Sequence, residues 1–97
     1  MRAEIKLQYL SHSGFLLTTE EKKHVAIDPF LSKNPAAPFG PEKIPPVDLI
    51  IATHAAFDHL GDSLYLAKRD KAVLFGDIVS RQLAHEAGLF KEQVKEH

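Results

Sequence analysis

Apolar and polar residues alternate from the start of the chain, with Ile5, Leu7 and Tyr9 set against Lys6 and Gln8. A period of two predicts a half-buried strand over residues 4–10. Ser11-His12-Ser13-Gly14 reads as a turn, and Phe15 opens a second strand over residues 15–19. The charged run Glu20-Glu21-Lys22-Lys23 suits a hairpin tip, and His24-Val25-Ala26-Ile27-Asp28 forms a third strand closed by Pro29, which cannot donate to a ladder. Three strands with short connections predict an antiparallel meander.

The pattern then breaks. Pro29, Pro35, Pro38, Pro41, Pro45 and Pro46, with Gly40, make regular structure implausible over residues 29–46. Irregular segments of that length in compact domains are often functional rims or lids. Residues 47–53 are a short, almost unbroken apolar strand, expected to be covered on both faces. Asp62 is placed to cap a helix running to about Arg69. Residues 72–75 read as a second buried strand, and Gly76-Asp77 opens another helix. There Val79, Leu83 and Ala87 share a face at spacing four, and Gly88 suits the stop. Residues 91–97 are polar and read as a fraying turn or connector. The expected order is a β-meander followed by strand-helix-strand-helix, an α/β arrangement (α+β by some schemes). Five short strands and two helices barely enclose a core, so residues 1–97 are expected to be a single partial domain, half of a larger sandwich.

Composition narrows the function classes. A net charge of -1 gives no electrostatic case for nucleic acid or an anionic membrane, and no apolar run is long enough for a membrane-spanning helix. The first residues, Met1-Arg2-Ala3-Glu4, lack the apolar core of a secretory signal, so the expected location is cytoplasmic. With no cysteine, any metal must be held by nitrogen and oxygen.

The chemistry concentrates at Thr53-His54-Ala55-Ala56-Phe57-Asp58-His59-Leu60-Gly61-Asp62. An apolar strand runs into two histidines and an aspartate, donors suited to zinc and, less selectively, to iron or manganese. The same residues also suit a strand cap, a turn cap and a surface histidine. His24, His85 and His97 read as solvated.

This stretch resembles the His-x-His-x-Asp-His signature of the metallo-β-lactamase superfamily. Tyr9-Leu10-Ser11-His12-Ser13-Gly14-Phe15-Leu16 and Ile27-Asp28-Pro29-Phe30-Leu31-Ser32 agree with the branch of metal-dependent hydrolases near the L-ascorbate-6-phosphate lactonases. The resemblance implies the N-terminal half of an αββα sandwich. It also implies metal-bound hydroxide acting on a lactone, ester or phosphoester. By the family pattern His54 is a ligand of a first metal, and Asp58 and His59 are ligands of a second. Asp58 also orients the nucleophile, Asp28 orients the metal loop, and His12 is expected to face the substrate. Zinc is the expected cofactor, as one or two ions, with manganese or iron as alternatives. The segment 29–46 is expected to form the substrate rim; Lys33 and Lys43 read either as cations for an anionic group or as solvated lysines of a polar loop.

Two departures qualify this. Ala56 stands where the family has its second motif histidine, whether as a natural one-metal variant or as a replacement. The later family motifs are not in these 97 residues. The expected partners are therefore a complementary C-terminal polypeptide of the same fold and a small-molecule substrate, with a homo-oligomer also open. The chain alone is expected to be inactive. The alternatives are a non-catalytic scaffold and a one-metal enzyme.

Overall fold

Six strands form one mixed sheet in chain order: β1 Lys6–Tyr9, β2 Phe15–Thr18, β3 His24–Ile27, β4 Leu49–Ile51, β5 Val73–Gly76 and β6 Val94–Glu96. The structure is a computed structural model and describes residues 4–97. The start of the chain, Met1 to Ala3, read above against a secretory signal, lies outside the described residues. β1, β2 and β3 are antiparallel, as the meander predicts, with Phe15 opposite both Tyr9 and Ile27. β3, β4, β5 and β6 run parallel, with Ile27, Ile51 and Phe75 in register. The turn at 10–14 therefore lies on the same sheet edge as the carboxyl ends of the parallel strands.

Three helices fill the crossovers: α1 Phe57–Leu60 and α2 Ser63–Asp70 between β4 and β5, and α3 Ile78–Glu86 between β5 and β6. The connection from β3 to β4 is the proline-rich segment, irregular as expected apart from one 3₁₀ turn at Pro41–Lys43. It is pinned to the body of the protein. Leu31, Ile44 and Val47 are buried in the core. The Arg69 guanidinium donates to the carbonyls of Pro41, Ile44 and Pro45 at 3.4, 3.0 and 3.2 Å. Arg69 is itself held by Asp70 at 2.7 Å, and Asp70 accepts from the Val47 amide.

The sheet is covered on one face only. Leu16, Ala26, Ile50, Leu74 and Val94 lie side by side in register and are buried beneath the helices. On the other face Ile5, Leu7 and Tyr9 are 63%, 62% and 58% exposed. Leu17, Val25, Leu49, Ile51 and Val73 are half-buried there. Two expectations are corrected. β1 is exposed throughout rather than half-buried, and β4 is covered on one face rather than two. The apolar alternation is present, but among the described residues no layer packs over that face.

Further differences have local causes. Residues 91–97 form a 3₁₀ turn and then β6, because Val94 to Glu96 find partners on β5. The buried face of α3 carries Ser80 and Ala84, with Leu83 and Ala87 beside them, whereas Val79 is exposed. Gly76 explains this rotation. A side chain there would meet the Ser80 Cβ at 2.8 Å, so the bare glycine lets α3 approach through a small residue. Asp77 caps α3 by accepting from the Ser80 amide at 2.8 Å.

The Arg69 hydrogen bond holds the Asp70 carboxyl below its ordinary value. A depressed folded pKa stabilises the protein fully above the unfolded value near 4, and that stabilisation fades as pH falls through the folded value. Asp70→Asn is expected to cost about 1 kcal/mol at neutral pH, read from urea midpoints. The gap from wild type should close as the pH falls below about 4, and a gap independent of pH would refute the ion-pair account.

Candidate metal centre

The loop after β4 is fastened to the loop after β3 by one carboxylate. Asp28 is 3% exposed, with its backbone in the left-handed region at φ 44°. Its Oδ1 accepts from the Thr53 amide at 2.7 Å, and its Oδ2 accepts from the Thr53 hydroxyl at 2.7 Å. The same Oδ2 lies 2.9 Å from His59 Nδ1. A buried carboxylate requires such donors, and here they organise the site. The Asp28 contact fixes the proton of His59 on Nδ1 and leaves Nε2 as a free lone pair. Thr53 Oγ1 spends its proton on Asp28, so it accepts from His54 Nδ1 at 3.0 Å. His54 therefore also presents a bare Nε2. The two imidazole rings lie 3.9 Å apart between centroids.

Asp58 and His59 stand on α1, a single helical turn that ends at Gly61. The close approach of two loops requires that glycine. Gly61 has φ +49°, and a Cβ there would collide with the Pro29 carbonyl oxygen. The adjacent Asp62 amide donates to that same oxygen at 2.7 Å. Asp62 is the residue before α2, but its side chain does not cap the helix. It accepts instead from the amides of Leu31 and Ser32, at 2.8 and 2.9 Å, and from the Ser32 hydroxyl at 2.6 Å. A second carboxylate thus fastens the proline-rich segment to the metal loop. The sequence signalled this only as an acid before a helix.

His12 reaches the site from the β1–β2 turn. Its Nε2 donates to Asp58 Oδ2 at 2.8 Å, and its ring packs edge-on against Phe30 and His59. That hydrogen bond is the main cause holding the Asp58 carboxyl below its ordinary value. His12, Asp58 and His59 each offer a donor atom within 4.8 Å of the others. Of the expected ligands, then, Asp58 and His59 converge with His12, while His54 stands beside His59 outside that group. Zinc donors about 2.0–2.1 Å from the ion lie about 3.3 Å from one another. The observed separations, 2.8 Å for His12 to Asp58 and 3.9 Å for His59 to Asp58, bracket that value. The set fits a divalent cation.

Phe30, Ser32 and Lys33 from the proline-rich segment meet Phe57, Gly61 and Asp62 around a cleft of about 240 Å³. Lys43 lies on the 3₁₀ turn and does not line this cleft. Two other histidines differ from expectation. His24 begins β3 half-buried rather than solvated, with Nδ1 3.1 Å from Thr18 Oγ1. His97 stacks on Phe75 and donates from Nε2 to the Ala52 carbonyl at 3.1 Å. It braces the strand end that leads into Thr53. His85 is exposed, as expected.

A His/Asp loop at the carboxyl ends of the parallel strands sits where open α/β sheets bind their ligands. The chain belongs to the Beta-lactamase superfamily domain family, which it matches over residues 6–91. It is 48% identical over 67 residues to a metal-dependent hydrolase of Methanosarcina barkeri, covering 69% of this chain and 28% of that protein. A metal-dependent hydrolase of Aeropyrum pernix is 36% identical over 95 residues, covering 92% of this chain and 38% of that one. The structure of a novel metallo hydrolase from the hyperthermophilic archaeon Ignicoccus hospitalis superposes with a TM-score of 0.79 at 30% identity, over 96% of this chain and 39% of that one. The chain thus spans roughly a third of the length of these relatives. Among the described residues no helix is long and apolar enough to cross a membrane.

Because Asp28 sets the tautomer and position of His59, Asp28→Ala is expected to weaken divalent-metal binding by about 10–100-fold. Calorimetric titration with zinc checks this. Unchanged affinity in a folded variant would show that the network is only structural.

Proposed function

We propose that the protein is a metal-dependent hydrolase that opens a lactone, ester or phosphoester at the Asp58–His59 end of the loop. One observation carries the reading. Asp28 holds His59 with its Nε2 lone pair free, 3.9 Å from Asp58 Oδ2, an arrangement built for a cation. Zinc suits the nitrogen and oxygen donors best; manganese or iron are the alternatives. A bound divalent cation supplies Lewis acidity and a water acidic enough to ionise near pH 7.

The chain's own residues do the rest. Asp58, at the mouth of the site, orients the attacking water. The edge-to-face pair Phe30 and Phe57, 5.6 Å between centroids, offers an apolar wall of the cleft to the substrate. Lys33 offers a positive charge to an anionic substrate at the cleft rim. Ala56 removes one imidazole from the family's first position, which supports a one-metal form of the enzyme.

The open face of the sheet supports a further part of the reading. A complementary C-terminal polypeptide of the same fold would cover Ile5, Leu7, Tyr9 and Phe75, which are all exposed, and would add the remaining ligands.

Metal analysis of the purified protein, with assays on a chromogenic ester, a lactone and a phosphodiester, tests the proposal. About one zinc per site is expected, with activity lost on chelation and restored by the metal. Asp58→Ala should lower activity at least a hundredfold. Absence of metal, unchanged when Ala56→His restores the imidazole, would instead identify a non-catalytic scaffold.

A further inference from the structure

We infer that His12 is a metal ligand that completes, with Asp58 and His59, a three-donor cation site. This inference rests on the metal-dependent reading above and changes the role expected for His12, from substrate contact to coordination.

Four observations converge on it. The first is proximity. Among the described residues, His12, Asp58 and His59 form a group whose donor atoms all lie within 4.8 Å of one another. Two nitrogens and one oxygen are the donor set of many catalytic zinc sites, which leave a fourth position open. The second is orientation. The His59 Nδ1 contact with Asp28 leaves only Nε2 for the cation, and that atom is 3.9 Å from Asp58 Oδ2. His12 approaches the same oxygen from the opposite element, 46 residues away in sequence.

The third observation is backbone strain. Ser11 and His12 both occupy the left-handed region, at φ 80° and 56°, although neither is a glycine. Each such residue costs on the order of 1–2 kcal/mol. Strain of this kind persists where the surroundings over-determine it, commonly at ligand sites. The fold holds it with a hydrogen bond from Tyr9 Oη to the His12 carbonyl at 2.6 Å, and with bonds from Leu10 N to Gly14 O and from Gly14 N to Ser11 O. The turn is thus built to aim the ring of His12 at Asp58.

The fourth is the ring's accessible tautomer. His12 donates from Nε2 to Asp58 without a cation. Moving that proton to Nδ1 frees the Nε2 lone pair, and among the described residues Nδ1 has no hydrogen-bond partner to forbid the exchange. An ordinary surface His–Asp pair accounts for the 2.8 Å contact alone. It does not account for the aligned lone pair of His59.

Zinc titration of the purified protein by calorimetry, comparing wild type with His12→Gln and the control His85→Ala, decides the matter. Glutamine keeps a donor for Asp58 but presents no imidazole. His12→Gln is expected to weaken zinc binding at least tenfold, with the thermal midpoint of the metal-free protein close to wild type. His85→Ala, at an exposed histidine on α3, should change the affinity by less than about threefold. Nitrogen-15 spectra should show the His12 Nε2 resonance moving on addition of zinc. Wild-type affinity in His12→Gln, with an unmoved His12 resonance, would overturn the inference and leave the metal-dependent reading intact. Failure of the wild type itself to bind zinc would overturn both.

Discussion

The carboxylate of Asp28 is the constraint on which the site depends. It is buried at the end of β3, so it must collect hydrogen-bond donors. It collects the amide and hydroxyl of Thr53 and the Nδ1 proton of His59. In satisfying one buried charge, the fold ties together the ends of two adjacent parallel strands and turns two imidazoles so that their Nε2 atoms are free. Asp62 repeats the device one loop further on, holding Leu31 and Ser32 against the start of α2. Gly61 permits the two loops to come close enough for both. Electrostatic satisfaction, rather than apolar packing, gives this edge of the sheet its shape.

Much of the sheet could be read from the sequence because its pattern is local. The β-meander announces itself in the alternation at Ile5, Leu7 and Tyr9 and in the charged turn at 20–23. Asp77, after a glycine and before a helical run, marks the start of α3. What could not be read was set by partners distant in the chain. Val94 to Glu96 have no period of their own and become a strand only because β5 offers an edge. Val79 looked like core, yet the bare backbone of Gly76 draws Ser80 inward instead. His12 and Asp58 meet across 46 residues, a distance over which periodicity carries no signal. Asp28 could be singled out only through the resemblance of its Ile-Asp-Pro setting, and Asp62 looked like a helix cap.

Apolar surface and metal chemistry are linked through the architecture. The helices cover one face of the sheet, and the opposite face leaves leucine, tyrosine and phenylalanine exposed. Apolar area of this kind stabilises an association when it is buried. In the proposed arrangement the complement that covers it also brings the remaining donors to the carboxyl edge, so assembly and completion of the site are one event. The chain's own contribution is the half that orients the ligands before the metal arrives.

The central claim is that hydrogen bonds from Asp28 and Thr53 fix the tautomers of His59 and His54 before any cation binds. Long-range proton–nitrogen correlation spectra of the metal-free protein report those tautomers directly. The account predicts that both rings are protonated on Nδ1 and bare at Nε2. Rings protonated on Nε2, or averaging rapidly between the two forms, would contradict it.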